Sequence, residues 1–180
     1  MTTPTFRMAE PADAGALSAF MTRTFRETYR DDQFGDCRVA DVEAYVDAHF
    51  DPERQAAEIA DPSLRTILAE VDGTLAGYVQ LRAPSPTPVR DGASPQEIAR
   101  FYVDRPWHGH GVARALMRRC VAEAHDADPL WLGVFERNAR ARAFYEKCGF
   151  APAGRAVFVM GDDVQEDWIL VLADRTRLAP

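Results

Sequence analysis

The sequence is poor in the features that mark several large classes of protein. Its three cysteines are widely spaced, with no CxxC pair and no Cys/His cluster, so neither a zinc site nor a disulfide framework is predicted. No apolar run approaches the roughly 20 residues that span a bilayer. The first residues lack the basic and apolar regions of a signal peptide. We therefore expect a cytoplasmic protein with no metal and no membrane contact.

Charge is distributed unevenly along the chain. The formal net charge is −7, which argues against general nucleic-acid binding. Residues 96–149 hold nine Arg or Lys and seven Asp or Glu residues, whereas the rest of the chain holds twelve and twenty-one. The locally basic segment suits an anionic cofactor. The acidic remainder either attracts a cationic substrate or only aids solubility.

Hydrophobic periodicity predicts a single α/β domain over residues 1–180. A helical repeat of apolar residues indicates helices over 14–29, 39–50, 52–60, 111–125 and 138–147. Alternation and short apolar runs indicate strands over 5–8, 65–71, 74–82, 97–103, 130–134, 156–160 and 168–172. Between these elements we predict a hairpin turn at Asp72-Gly73, a Pro-rich loop over 83–95 and an acidic turn over 161–167.

Two glycines lie where the strand 97–103 gives way to the helix 111–125. The turn reads His108-Gly109-His110-Gly111-Val112-Ala113, and its N–H groups, with the helix dipole, form a site for a pyrophosphate. A dinucleotide-binding fingerprint needs a third glycine at position 114, where this chain has arginine. The Gly-Lys-Ser/Thr of a P-loop is also absent.

A second segment, WLGVFERNARARAFYEKCGF, passes from a strand to a helix through Asn138. Asn138 either caps this helix or holds an amide of a cofactor. Tyr145 either packs in the core or donates a proton. Lys147, the only lysine in the chain, suits a helix C-terminus because the helix dipole favours a cation there.

Together the two segments resemble the GNAT N-acetyltransferases, whose cofactor signature is Arg/Gln-x-x-Gly-x-Gly/Ala. His108 departs from that signature at its first position. TFRETY, EIARFYV, WLGVFERN and VFVMGDDVQED are also similar to the bacterial PaiA-like polyamine N-acetyltransferases, through nearly the whole chain. The resemblance implies a central, mostly antiparallel twisted sheet with a splayed parallel pair, helices on both faces, and often a homodimer.

The resemblance further implies how acetyl-CoA is bound. The strand before the glycine turn would open an edge for pantetheine at Phe101, Tyr102 and Val103, and an N–H near Val103 would polarise the acetyl carbonyl. The cofactor phosphates would meet the amides of residues 108–113, aided by Arg114. Asn138 and Lys147 would make further contacts with the cofactor.

The resemblance also implies that an amine attacks the thioester directly, without an acyl-enzyme. Tyr145 would protonate the departing thiolate, because a phenol with a reference pKa of about 10 can give its proton to a basic leaving group. Glu97 matches the position from which several family members draw a general base. A solvated residue at the start of a strand is the alternative interpretation of Glu97.

Several acyl acceptors stay open. A small polyamine such as spermidine or spermine is favoured, because carboxylates of the N-terminal half would neutralise a polycation: Asp31, Asp32, Asp36, Asp41, Glu43 and Asp47. The same residues are alternatively the solvated faces of two helices. Other hypotheses are acetylation of a protein N-terminus, an amino acid or an antibiotic, and a non-catalytic acetyl-CoA sensor.

Overall fold

The fold is taken from a computed structural model that describes residues 3–30, 38–85, 95–125 and 129–179. Its strands are β1 Thr5–Met8, β2 Leu64–Val71, β3 Thr74–Arg82, β4 Gln96–Val103, β5 Leu130–Phe135, β6 Phe150–Met160 and β7 Asp163–Leu172. Its α-helices are α1 Ala14–Arg30, α2 Val39–His49, α3 Pro52–Ala60, α4 Val112–Glu123 and α5 Ala139–Lys147. Asp31, Asp32, Asp36 and most of the Pro-rich loop lie outside the described residues.

The seven strands form one sheet in the order β1-β2-β3-β4-β5-β7-β6. Every neighbouring pair is antiparallel except β4 and β5, which run parallel. These two strands pair only at their first residues, Gln96 with Leu130 and Glu97 with Trp131. Beyond that point they diverge, as the predicted fold class requires.

Helices cover both faces of the sheet, each over its own apolar core. On one face α4 and α5 pack on the sheet through residues that include Leu116, Met117 and Tyr145. On the other face α1 and α2 pack through Leu17, Met21 and other apolar residues of the second core. The core therefore fills both sides of the sheet, and the gap between β4 and β5 lies between the two helical layers.

The last two strands are longer than the periodicity predicts, and the predicted acidic turn over 161–167 is wrong. β7 already begins at Asp163, and Met160 pairs with Asp163 across a turn of only two residues, Gly161 and Asp162. Asp41 of α2 stabilises this turn by accepting a hydrogen bond from the Asp162 N–H at 3.4 Å. A run of acidic residues is typical of a loop, but pairing with β6 places residues 163–167 in a strand.

Among the residues that the structure describes, no helix is both long enough and apolar enough to cross a membrane.

Candidate active site

A cleft opens where β4 and β5 diverge, and it continues into a cavity of about 490 Å³ between the two helical layers. Residues from α1, α2, β4, β5, α5, β6 and β7 line it. Phe101, Tyr102, Val103 and Tyr145, which the sequence analysis singled out, are among them. The cleft thus brings together part of the predicted donor-binding set, including His108, Gly109, Ala113 and Asn138.

The inner edge of β4 has backbone groups that point into this cleft. Hydrogen-bonded and non-hydrogen-bonded pairs alternate along an antiparallel ladder. The Asp104 N–H donates to the Ala76 carbonyl at 2.9 Å, and Val103 pairs with Gly77. The peptide groups of Phe101 and Val103 therefore point away from β3, towards the side where β5 has diverged. An extended ligand can pair with them as an added strand.

The carbonyl of Val103 is already held by His108, and the geometry fixes the tautomer of this histidine. Arg140 Nη1 lies 3.2 Å from His108 Nδ1, and His108 Nε2 lies 2.8 Å from the Val103 oxygen. Since arginine can only donate, Nδ1 accepts and the Nε2–H donates to Val103. His108 thus ties the glycine turn to the end of β4 and leaves the Val103 N–H directed into the cleft.

The glycine turn forms an open cradle at the start of α4. Gly109 and Gly111 have φ angles of 80° and 84°, in the left-handed region that favours glycine. No atom lies within 4 Å of a Cβ built at either residue, so both face open space. Gly111 is the N-cap of α4, and the N–H groups of its first turn have no partner within the helix. This geometry suits an anionic group such as a pyrophosphate.

Tyr145 of α5 is buried and lines the cleft. Its ring packs edge-on against Phe101, with the ring centroids 6.2 Å apart, and contacts Phe144 and Phe150. Burial, with smaller effects from Tyr102, Cys148 and Cys120, raises the pKa of its hydroxyl well above the ordinary value. The hydroxyl is therefore protonated at neutral pH and can act as a proton donor.

The other residues predicted to bind acetyl-CoA do not all lie in the cavity. Asn138 lines the cavity, and its Oδ1 caps α5 by accepting the Ala141 N–H at 3.0 Å. Val112 is buried in the core, whereas His110 is exposed. Arg114 donates to the carbonyl of Arg177 at 2.6 Å, and Lys147 is exposed in the last turn of α5. Neither Arg114 nor Lys147 lines the cavity.

Glu97 lies at the paired end of β4, before the strands diverge. Its Oε2 accepts hydrogen bonds from Arg82 at 2.9 Å and Ser85 at 2.7 Å. It does not line the cavity. Glu97 can take a proton from an amine in the cleft only if it releases Arg82 and Ser85 or if water relays the proton. Its catalytic role stays a prediction.

The opposite part of the cavity holds residues that the sequence analysis did not select. Rings of Phe25, Tyr45 and Phe50 form one aromatic group, in which Phe25 and Tyr45 stack with centroids 4.9 Å apart. Two carboxylates, Glu27 of α1 and Asp167 of β7, also line this part. These residues come from distant parts of the chain, so no local motif joins them. The one available signal was Asp167 itself, an acidic residue directly before the apolar run WILVL.

Asp41, Glu43 and Asp47, the described members of the carboxylates predicted to neutralise a polycation, do not line this cavity. Asp41 is buried and supports the β6–β7 turn, as described above. Glu43 forms an ion pair with Arg26, and Asp47 is exposed. The expectation that these carboxylates neutralise a polycation is therefore not supported, because two of them serve local structure and the third faces solvent.

Comparison with known proteins agrees with this geometry. The acetyltransferase (GNAT) family matches residues 22–150, and the chain belongs to that family. The prediction of an N-acetyltransferase that moves an acetyl group from acetyl-CoA to an amine is thereby confirmed at the level of the family.

Individual relatives show how far the similarity extends. An uncharacterized N-acetyltransferase of Mycobacterium bovis is 33% identical over 132 residues, which are 72% of this chain and 80% of the relative. The aminoglycoside N(6')-acetyltransferase type 1 of Stenotrophomonas maltophilia is 27% identical over 159 residues, covering 86% and 91%. The PaiA N-acetyltransferase of Thermoplasma acidophilum, solved in complex with coenzyme A, superposes with a TM-score of 0.74 at 17% identity, covering 96% of this chain and 99% of that one. This last similarity confirms the fold.

Proposed function

We propose that this enzyme acetylates a primary amine of a small molecule, with a polyamine such as spermidine or spermine as the acceptor. The observation that carries the proposal is the two-sided cavity. One side offers free backbone N–H groups and Tyr145, and the other offers aromatic rings and two carboxylates. The first side suits a thioester donor and the second a cationic amine.

On the donor side, the edge of β4 would pair with the pantetheine arm of acetyl-CoA. The Val103 N–H would donate to the acetyl oxygen, where negative charge develops in the tetrahedral intermediate. The phosphates would lie at the turn 108–113, where the amides at the start of α4 favour negative charge. Asn138 keeps its Nδ2 donor for the cofactor, since its Oδ1 is used as the cap.

The chemistry is a direct attack of the amine nitrogen on the acetyl carbon. The C–N bond forms, the tetrahedral intermediate collapses, and the C–S bond breaks. Tyr145 gives its proton to the sulfur as the C–S bond breaks, and the proton that leaves the amide nitrogen restores the hydroxyl. The burial that raises the pKa of Tyr145 keeps this proton in place until the thiolate forms.

A polyamine fits the acceptor side because cationic groups are favoured both by carboxylates and by the faces of aromatic rings. The resemblance of the sequence to the PaiA-like polyamine N-acetyltransferases supports this acceptor, and the aminoglycoside acetyltransferase relative points to a different polycationic amine. Both acceptors have several ammonium groups, so one can be deprotonated for attack while others stay charged and bound.

The test is an amine panel with acetyl-CoA, read by release of free thiol. The panel contains spermidine, spermine, putrescine, an aminoglycoside, amino acids and a simple monoamine. We expect thiol release that depends on the amine, with the highest kcat/KM for spermidine or spermine. If monoamines are equally good, the polyamine assignment is wrong. If no amine gives thiol release by a folded protein that binds acetyl-CoA, a non-catalytic sensor is the better hypothesis.

A further inference from the structure

Asp167 is a carboxylate of the acceptor side to which the chemistry above gives no part in proton transfer. It pairs with Phe135 across the β5–β7 ladder, and directly paired residues of an antiparallel ladder share a face of the sheet. It lines the cavity together with Gly133, Phe135 and Phe158. Its carboxylate therefore lies on the side from which an amine would approach the diverging strands.

The absence of a side chain at Gly133 gives Asp167 its access to the cleft. A Cβ built at Gly133 would lie 3.2 Å from Asp167 Oδ2, closer than ordinary van der Waals contact. Gly133 belongs to β5, the strand that diverges from β4 after Trp131. The carboxylate thus occupies space beside the strand that opens the donor cleft, and a larger residue at 133 would crowd it.

Asp167 also differs from other acidic residues near the cleft in its partners. Glu97 is held by Arg82 and Ser85, and Glu58 is held by Arg100 at 2.5 Å. Within the described part of the chain, the Asp167 carboxylate has neither an ion pair nor a hydrogen bond. Burial alone raises its pKa to about 6. A partly buried carboxylate with no partner is costly to the fold, and a cationic ligand would offset that cost.

We propose that Asp167 binds the reacting ammonium of the acceptor and takes the proton that must leave before the nitrogen can attack. This assignment rests on the proposed function, and it offers an alternative to Glu97 as the general base. The acceptor it predicts is an amine that arrives charged, so a neutral aromatic amine should not benefit from Asp167.

The protons balance as follows in this scheme. The ammonium gives one proton to the Asp167 carboxylate, which passes it to water at the open side of the cavity. The neutral nitrogen then forms the C–N bond. The second proton leaves the tetrahedral nitrogen and restores the Tyr145 hydroxyl, which has given its own proton to the thiolate. The products are the acetamide, the free thiol and one proton in solution.

The pH dependence should report Asp167 because few other groups act on it. Tyr102 of β4 interacts with it electrostatically and is itself fully protonated at neutral pH, since burial raises its pKa. The other titratable or charged residues that line the same cavity are Glu27 and Tyr29 of α1, Tyr45 of α2, Arg100 of β4, Arg105 and His108 between β4 and α4, and Arg140 and Tyr145 of α5. The acidic limb of kcat/KM should therefore follow the ionisation of Asp167, with an apparent pKa near its value of about 6.

The experiment compares Asp167→Asn with Glu166→Gln and Glu97→Gln. Glu166 is the neighbouring carboxylate, and it pairs on the surface with Arg155 at 2.7 Å. We expect Asp167→Asn to lower kcat/KM for spermidine by about 10²–10⁴-fold and to remove the acidic limb, as loss of a general base does. Acetyl-CoA affinity from calorimetry should stay unchanged, and Glu166→Gln should retain wild-type kinetics. Asp167→Glu, which keeps a displaced carboxylate, should retain the acidic limb with a smaller loss of rate.

Each result decides between the hypotheses. If the wild-type protein releases no thiol with any amine, the proposed function fails before Asp167 is tested. If the wild type is active and Asp167→Asn keeps both its rate and its acidic limb, the role of Asp167 is refuted. A large loss confined to Glu97→Gln would assign the base to Glu97 instead. Circular dichroism of each variant confirms that a lost rate is not a lost fold.

Discussion

The proposed donor side and the proposed acceptor side of the cavity are built in different ways. The donor side uses backbone groups: the inner edge of β4 and the amides at the start of α4, which two left-handed glycines leave open. The acceptor side uses side chains from α1, α2, β6 and β7, which are far apart in sequence. A backbone site needs a strand, a turn and a helix in succession, whereas a side-chain site needs only that the fold bring distant residues together.

The largest expected effect is on the rate of the chemical step, and it should come from a substitution at Tyr145, where the donor side and the acceptor side meet. Tyr145→Phe removes only the hydroxyl and keeps the ring that packs against Phe101 and Phe150. We expect the rate of the chemical step to fall by roughly 10²–10⁴-fold, the usual worth of general acid–base catalysis. Single-turnover thiol release measures this step. Phe144→Leu is the control for altered packing, because Phe144 also lines the cleft and contacts the ring of Tyr145.

Acetyl-CoA affinity in Tyr145→Phe should stay near the wild-type value, because the role proposed for the hydroxyl is at the thiolate and not on the cofactor arm. An unchanged chemical rate in a folded Tyr145→Phe variant would remove Tyr145 from the role of acid.

The second effect concerns the donor side alone. Gly111→Trp places a bulky side chain in the open space of the turn, so the phosphates cannot approach the amides. We expect the Kd for CoA to rise by about 10–100-fold, the equivalent of one charge-assisted hydrogen bond lost. Calorimetry measures it.

A matched control for Gly111→Trp exists in the β2–β3 turn. Gly73 also has a left-handed φ, 74° against 84° for Gly111, and also faces open space. Gly73→Trp should impose a similar backbone strain and leave CoA affinity unchanged. Equal affinity losses in both variants would mean that strain, and not obstruction of the turn, is responsible.

The sequence predicts residues for the donor side because the parts of such a site are consecutive in the chain, and their binding role stays a prediction. His108–Ala113 and the segment around Asn138 and Tyr145 carry their own local pattern of glycine, cap and aromatic residue. The fold class and most helix and strand positions followed from periodicity for the same reason. The splay of β4 and β5 came from the family resemblance, since nothing in either strand alone specifies where the pairing stops.

The acceptor side was less accessible to prediction. Asp167 was placed in a turn, because the acidic residues before WILVL resemble a loop and the ladder with β6 extends the strand through them. The sequence predicts that the N-terminal carboxylates either neutralise a polycation or form the solvated faces of two helices. In the structure Asp41 and Glu43 instead stabilise the contacts of α2 with the β6–β7 turn and α1. Which carboxylate is left without a partner depends on tertiary contacts.

A third, smaller effect is on stability and follows from the Asp167 carboxylate. Its pKa in the fold, about 6, lies above the ordinary value of 3.8. The folded state therefore binds the proton more tightly than the unfolded state, and stability is lost as the pH rises from about 4 through about 6. Asp167→Asn should raise the free energy of unfolding by about 1–3 kcal/mol at pH 8, with partial exposure lowering the gain.

The same variant should show no such gain at pH 4, where the wild-type carboxyl is protonated in the fold. Urea unfolding of both proteins at the two pH values measures the difference. A gain of equal size at both pH values would mean that it comes from packing and not from the charge.

The smallest expected effect is the dependence of the acceptor's Michaelis constant on ionic strength. The Michaelis constant for spermidine should rise by a few-fold between low and high ionic strength, because in the proposed complex its ammonium groups would interact with partly exposed carboxylates. The constant for a monoamine should rise less. Steady-state kinetics at constant acetyl-CoA measures both, and equal responses would argue against a polycation on the acceptor side.

Hydrogen–deuterium exchange tests the division of the cavity most directly. If acetyl-CoA binds to backbone groups, it should slow exchange in peptides that cover residues 98–103 and 108–115. Spermidine should leave the exchange of both peptides unchanged, because the acceptor side uses side chains. Unchanged exchange in both peptides at a concentration where calorimetry shows acetyl-CoA bound would contradict the account.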